Sequence, residues 1–327
     1  PVLSMVPPQV PPQVPSQDFS DTEDVWADPW DDPELESQSP AVPSFMDDRD
    51  WTFQTQESNL EHPALNHKNW VDELAILVFG EQGSGKTSKL LWLAEQHLKR
   101  GDIVLVLSDM AYPGWLKGIE VAGINADFNG ISQALNAFCN EGEARKKFRG
   151  LHGDTGYFPH DLPTVVLIAD EVTSWSEQPA LEMAIFRLAK LVLSDLRQMN
   201  LRVILGGHGN TLKTLFGKAL EGKKQTFDNQ FVQLQCKSKP DPNVEDGKKC
   251  AGEVIVNYYQ GKNPVSTPMK IPALMPSKNC LKTMEYQTAK GTKGKKIVYD
   301  FSKYKATPFS QYHKEENQER LKLQKEA

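Results

Sequence analysis

Two short stretches carry the residue types and spacings of phosphate chemistry. Gly80-Glu81-Gln82-Gly83-Ser84-Gly85-Lys86-Thr87 fits the pattern G-x-x-x-x-G-K-[ST]. Gly80, Gly83 and Gly85 let the backbone curl so that successive N–H groups, together with Ser84, face one phosphate chain at the positive end of a following helix. In such a loop Lys86 reaches the β- and γ-phosphates of ATP and the Thr87 hydroxyl holds Mg²⁺. The second stretch, Thr164-Val165-Val166-Leu167-Ile168-Ala169-Asp170-Glu171, is an apolar run ending in two acids. Asp170, at the end of a strand, is placed to orient a Mg²⁺ shell, and Glu171 beside it to polarise a water for attack on the terminal phosphate. Two acids at a helix start are also favoured by the helix dipole. The position of this pair, well downstream of the phosphate loop in an α/β context, favours the chemical reading.

A third stretch, Leu201-Arg202-Val203-Ile204-Leu205-Gly206-Gly207-His208-Gly209-Asn210, reads as a strand running into a Gly-rich turn. Glycines there allow close backbone approach to a ligand. His208 or Asn210 is the candidate for a polar group that senses the terminal phosphate, and the sequence leaves the choice open.

These groups need a scaffold. Residues 74–79 are an apolar run of strand length, and Thr87 to Lys99 carries Leu90, Leu91, Leu93, Ala94 and Leu98 at helical spacing. Gly101 is a helix stop, and residues 102–108 form a second buried strand, completing a βαβ unit of a parallel sheet. Further on, the pattern predicts a helix over 132–148, a loop over 150–163 and a long helix over 179–199. Beyond Thr211 it predicts a short helix over 212–220. Strands over 231–236 and 253–259 then form an edge hairpin around a polar loop at 237–249. The fold class is therefore α/β, a mostly parallel sheet flanked by helices.

The chain has 327 residues, of which 39% are hydrophobic, enough to bury a sizeable core. Its net charge of −6 is unevenly spread. Residues 1–60 hold 13 acidic residues and one basic residue, Arg49, whereas residues 248–327 hold 16 basic and 7 acidic. The first segment also contains the proline tract at 7–15 and three tryptophans, of which Trp26 and Trp30 lie together in an acidic setting. That composition predicts a disordered tail able to dock a protein partner or to serve as a spacer. The organisation expected is a tail over 1–60, a nucleotide-binding domain over 67–260 and a basic, partly disordered extension over 261–327. In the extension, Lys290, Lys293, Lys295 and Lys296 lie near Tyr299, Phe301 and Tyr304, a composition suited to DNA or to a solvated surface. The four cysteines show no metal-ligand or C-x-x-C spacing and read as thiols of a reducing compartment. With no apolar run of membrane-spanning length, the expectation is a cytoplasmic protein.

Taken together, the phosphate loop, Asp109 after the second strand, Asp170-Glu171, and a helix ending Asp195-Leu196-Arg197-Gln198-Met199-Asn200 before Leu201-Arg202 resemble one division of the P-loop NTPases. It is the additional-strand, catalytic-glutamate division with its RecA-like sheet. Within it, the chain is similar to the FtsK/HerA group of DNA-pumping ATPases and the conjugative coupling proteins, over residues 70–260. The resemblance implies that Lys86 and Thr87 bind phosphate and Mg²⁺, that Asp170 supports the metal and that Glu171 is the base. It also implies a homo-oligomer with an arginine finger, for which Arg145, Arg149, Arg187, Arg197 and Arg202 stand open. One departure is plain: that group often carries Gln after the sensor strand, where this chain has Gly206-Gly207-His208-Gly209-Asn210. The leading expectation is an ATP-hydrolysing motor or switch acting on DNA. A nucleotide-dependent recruitment protein working through the acidic tail is the alternative, and a phosphotransferase, which usually lacks the Asp-Glu pair, is a weaker third.

Overall fold

The computed structural model describes residues 63–152, 162–194, 196–211, 215–217, 223–242, 247–260, 263–271, 274–287 and 293–326. They belong to one compact unit, Asn59–Ala327. The expectations for the tail over 1–60, and most of those for the short helix over 212–220, fall outside the described residues.

An eight-stranded sheet with the order β4-β2-β5-β6-β1-β7-β8-β9 organises the chain. Its strands are β1 (Ala75–Gly80), β2 (Ile103–Ser108), β4 (Glu120–Ala122), β5 (Val165–Asp170), β6 (Leu201–Gly207), β7 (Val232–Pro240), β8 (Lys248–Gln260) and β9 (Asn263–Lys270). The first six neighbours in that order are parallel, while β8 and β9 add antiparallel. A three-stranded sheet, β10 (Leu281–Gln287), β11 (Lys293–Asp300) and the short β3 (Leu116–Lys117), lies apart from it.

The central strands β1, β2, β5 and β6 are apolar except at Ser108, Asp170 and Arg202, because both faces of a parallel sheet are covered. The two-residue period then sorts the side chains. Leu77, Leu105, Leu167, Val203 and Leu205 join one core with α2 (Phe128–His152) and α3 (Glu182–Ser194). Ile76, Val78, Val104, Val106, Val166, Ile168 and Ile204 join the other, with α1 (Lys86–Lys99) and the buried Trp70. Two further helices, α4 (Lys224–Gln230) and α5 (Phe309–Glu326), supply Phe227, Phe309 and Tyr312 to the first core.

Several elements differ from the sequence pattern, each for a physical reason. The predicted helix over 132–148 extends over 128–152, running through Gly142. A Cβ there would stand 2.8 Å from Leu191 Cδ1, so the glycine lets α2 and α3 pack closely. The long helix over 179–199 is instead a 3-10 turn at Pro179–Leu181, then α3, then a second 3-10 turn at Arg197–Met199. The predicted loop at 237–249 shortens, because Ser238–Pro240 pair with Lys248–Cys250 across the β7–β8 hairpin, past a bulge at Lys237. β9 lies beyond the domain limit expected at residue 260, yet it hydrogen-bonds to β8 in the same sheet. Its alternating exposed and half-buried residues are those of an edge strand, which composition does not distinguish from a solvated extension. No helix of the described residues is long and apolar enough to cross a membrane.

The last helix is fastened by a buried charge cluster. Glu141 on α2 accepts from Arg145 Nε at 2.7 Å, from Arg320 Nη2 at 2.7 Å and pairs with His313 Nδ1 at 2.9 Å. Arg145 also donates to the carbonyls of Met199 and Pro163, at 2.7 and 3.1 Å, tying α2 to the approaches of β6 and β5. Burial pushes the Glu141 acid up, but the hydrogen bonds from His313 and Arg320 and the charge of Arg145 outweigh it. The acid is held well below its ordinary value of 4.5. A depressed acid stabilises the fold above its unfolded value, and that stability is lost as the pH falls toward the folded value. Glu141→Gln is therefore expected to lower stability at pH 7 by about 3 kcal/mol, since it leaves buried arginines without their carboxylate. In denaturant titrations the gap from wild type should narrow as the pH falls below 4.5.

Candidate active site

Four parallel strands deliver the candidate residues to one edge of the sheet. The phosphate loop follows β1, Ser108 and Asp109 end β2, Asp170 and Glu171 end β5, and His208 follows β6. Parallel strands put their carboxyl ends on the same edge, which is where ligands of open α/β sheets bind. A cavity of about 870 Å³ lies there, lined by residues of all four turns, among them Gly83, Lys86, Thr87, Asp109, Asp170 and His208.

Within it the side chains converge. The Thr87 hydroxyl donates to Asp170 Oδ2 at 3.1 Å. The Lys86 ammonium donates to the Glu81 carbonyl at 3.3 Å and stands 3.6 Å from Glu171 Oε1. His208 Nε2 stands 3.0 Å from Glu171 Oε2. Neighbouring acids thus face different partners, Asp170 toward the hydroxyl and Glu171 toward the two bases. The divergence has a backbone cause, because Glu171 occupies the left-handed region at φ 58° and ψ 41°. A non-glycine residue there is held by its surroundings, and such positions cluster at functional sites.

Small residues let these groups meet. A Cβ on Gly206 would stand 2.5 Å from Leu90 Cδ1 and 3.2 Å from Asp170 Oδ1. A Cβ on Gly207 would stand 2.7 Å from Thr173 Oγ1, the atom that accepts from the His208 backbone N–H at 2.8 Å. The Gly-rich turn thus seats His208 over the Asp-Glu pair.

The chemistry of the site fits a divalent cation and an anionic ligand. Asp170 is 5% exposed. Burial, then the charge of Glu171, push its acid up to about 6, partly opposed by the Thr87 hydroxyl and the Lys86 charge. Its Oδ1, together with Ser108 Oγ and Asp109 Oδ1, is buried without a hydrogen-bond partner among the described residues. Burial also raises the Asp109 acid. Buried polar atoms are normally satisfied by protein, water or a ligand. A hydroxyl and one carboxylate are hard oxygen ligands of the kind Mg²⁺ takes, with the rest of its shell drawn from water and phosphate. Among the described residues no group of three or more His, Cys, Asp or Glu could hold a metal ion.

The candidates named from sequence do not all gather here. Gly83, Gly85, Lys86, Thr87, Asp170, Glu171 and His208 line the cavity. Gly80 ends β1, and Ser84 is buried behind the loop. Asn210 lies elsewhere: it donates to Gln233 Oε1 at 3.1 Å and lines a separate cavity with Lys224 and Asp228. Of the five arginines, Arg145, Arg149, Arg187 and Arg202 hydrogen-bond within their own chain, and Arg197 is exposed on its 3-10 turn. Sequence reasoning missed Ser108, Thr173 and Ser174. Ser174 Oγ donates to Asp109 Oδ2 at 3.3 Å. The signal was the pair of hydroxyl residues closely following Asp170-Glu171, visible once that stretch is read as a strand end.

The strand order defines the class. β6 separates the phosphate-loop strand β1 from the acid-bearing strand β5, the arrangement of the additional-strand division of P-loop proteins. No protein-family model and no curated protein matches the sequence. Among solved structures the fold is similar to the pCW3 conjugation coupling protein TcpA in its monomer form with ATPγS, at 15% identity and a TM-score of 0.43. It is also similar to ATPases 2 and 3 of EssC from Geobacillus thermodenitrificans, at 17% and 0.44, and to the cytoplasmic domain of the type VII secretion ATPase EccC from Thermomonospora curvata, at 12% and 0.37. Each likeness covers 62% of this chain, and the chain spans 62%, 38% and 24% of those proteins respectively.

The phosphate loop is itself held from outside. Gly83 has φ +77°, and a Cβ there would stand 2.4 Å from the Lys248 carbonyl oxygen on β8. Glu81 accepts from Lys248 Nζ at 2.6 Å and from Ser238 Oγ at 3.2 Å. Gly83→Ala therefore combines a left-handed backbone with a backbone clash. It is expected to lower stability by about 1–3 kcal/mol, measured as a lower midpoint in thermal unfolding.

Proposed function

We propose that the chain binds ATP with Mg²⁺ and hydrolyses it. The observation that carries this reading is the convergence of the Thr87–Asp170 hydrogen bond and the Lys86–Glu171 contact at one cavity, although β6 stands between their strands. In this reading the backbone N–H groups from Gly83 to Thr87 cradle the phosphates, and Lys86 swings from the Glu81 carbonyl to the β/γ-phosphates. Thr87 and Asp170 hold the metal shell. Bound Mg²⁺ supplies charge neutralisation at the terminal phosphate. Glu171 accepts the proton of the attacking water, and His208, at 3.0 Å, holds that carboxylate in place.

The finer proposal is an ATPase acting on DNA through its basic C-terminal part, working as a homo-oligomer. Lys296 on β11 stacks over the Tyr112 ring at 4.4 Å, and the Tyr299 N–H donates to the Trp115 carbonyl at 2.9 Å. Tyr112 and Trp115 belong to the segment after Asp109, and Met110 and Trp115 line the nucleotide cavity. A polyanion bound on β11 is thereby one segment away from the phosphates.

Glu171→Gln is expected to retain ATPγS binding while its hydrolysis rate drops by about 100-fold or more. A variant that hydrolyses ATP at the wild-type rate would remove Glu171 from the base role. Duplex or single-stranded DNA is expected to raise the wild-type rate. If the rate is indifferent to DNA and removal of residues 1–60 abolishes capture of a protein partner, the recruitment reading replaces the DNA one.

A further inference from the structure

A second lysine, Lys89, lies two residues beyond Thr87 on α1, and the mechanism above does not use it. It is 3% exposed. Its ammonium donates to the Ser84 carbonyl at 3.3 Å, to the Gly85 carbonyl at 3.4 Å and to Cys250 Sγ on β8 at 3.7 Å. An ammonium has three donors, and these contacts account for them. Two acceptors are backbone carbonyls of the phosphate loop and the third is a thiol. Among the described residues no carboxylate pairs with it.

Two physical consequences follow. A trans peptide points its N–H opposite to its C=O. The Ser84 carbonyl shares a peptide with the Gly85 N–H, and the Gly85 carbonyl shares one with the Lys86 N–H. Holding both carbonyls behind the loop, that of Gly85 jointly with the Lys89 backbone N–H at 3.2 Å, therefore aims both N–H groups away from Lys89, and Gly85 and Lys86 line the cavity. The second consequence is electrostatic. Burying a cation without a carboxylate is costly, and the cost falls when an anion arrives nearby. A phosphate chain in the loop is such an anion.

The packing around Lys89 leaves it no slack. A Cβ on Gly85 would stand 3.3 Å from Lys89 Nζ and 3.2 Å from Cys250 Sγ, so the loop, the lysine and β8 are in contact at one point. The third donor is thus taken by the exposed Cys250, and β8 becomes the back wall of the loop.

We propose that Lys89 is a positioning residue for the phosphate loop, backed by Cys250, which fixes two loop peptides so that their N–H groups face the phosphates of a nucleoside triphosphate. The role deepens the ATPase reading and rests on it. It acts on binding of the phosphate chain rather than on attack by water, so it separates from Glu171 in kinetics.

The test titrates ATPγS into the full chain and measures ATP hydrolysis in parallel. Lys89→Met keeps the length of the side chain and removes its donors. It is expected to weaken ATPγS binding by about 10- to 100-fold and to raise the KM for ATP by a similar factor. The kcat at saturation should stay within about twofold of wild type, and the unfolding midpoint should not fall, which separates positioning from a purely structural role. Cys250→Asp, at an exposed position, places a carboxylate that draws the ammonium off the two carbonyls. It is expected to weaken ATPγS binding about tenfold. A folded Lys89→Met that binds ATPγS as wild type does overturns the proposal. Should Lys89→Met not fold, unchanged affinity in Cys250→Asp overturns it equally. A wild-type chain that takes up no ATPγS overturns the ATPase reading and this proposal together, whereas a wild type that binds alongside variants that bind equally overturns this proposal alone.

Discussion

The hydrogen bond from the Thr87 hydroxyl to the Asp170 carboxylate joins residues 83 positions apart, and the site depends on it. Their strands, β1 and β5, are not neighbours. β6 lies between them, which sets the two about 10 Å apart at ordinary strand spacing. The gap is crossed because the intervening strand ends in glycines. At Gly206 a side chain would meet both Leu90 on α1 and Asp170. The missing side chain lets α1 settle against the sheet and lets the hydroxyl reach the acid. The same strand then delivers His208 to Glu171 at 3.0 Å. The inserted strand therefore both separates the acids from the loop and supplies the surface across which they meet.

Around this contact the electrostatics are organised as a gradient. Lys86 and Lys89 are both buried, at 6% and 3% exposure, one on the cavity side of the loop and one behind it. Asp170 and Glu171 line the cavity with Lys86, where burial and then the charge of Glu171 raise the Asp170 acid. Lys86 and Glu171 stand 3.6 Å apart in a partly buried setting, where charges are screened less than in bulk water. The arrangement is poised for a ligand that brings both a cation and phosphate charge. By contrast, the Glu141 cluster under α5 is complete in itself: its carboxylate is ringed by Arg145, Arg320 and His313. Similar residue types thus do different work, one carboxylate ringed by cationic partners and the other set among buried oxygen atoms that line a cavity.

Much of the scaffold was legible because the pattern is local. β1, α1, β2, β5 and β6 each announce themselves by period and length, and the loop glycines lie between a strand and a helix in the required order. Elements whose reason is long-range were read poorly. The β7–β8 hairpin looked short because residues 237–240 and 248–249 are polar, yet Ser238–Pro240 pair with Lys248–Cys250, and Lys248 and Ser238 hydrogen-bond to Glu81 of the phosphate loop. β9 looked like a basic extension because an edge strand shows half of its residues to water. Gly142 looked like a weakness in a helix and is instead a point of close contact between two helices.

The sequence by itself determined the chemistry on offer: a loop that curls at three glycines, a lysine and a threonine at its end, and two acids closing an apolar run. These follow from covalent spacing and backbone freedom, which a chain carries before it folds. The tertiary structure decided which residues share a site. It brought His208 to Glu171 and sent Asn210 to Gln233, two residues apart in the chain and in different cavities. It set Glu171 in a left-handed conformation that turns its carboxylate away from that of Asp170. It also placed Lys89 and Cys250 behind the loop, 161 positions apart. Such pairings depend on strand order and on where side chains are missing, and neither is encoded within any one segment.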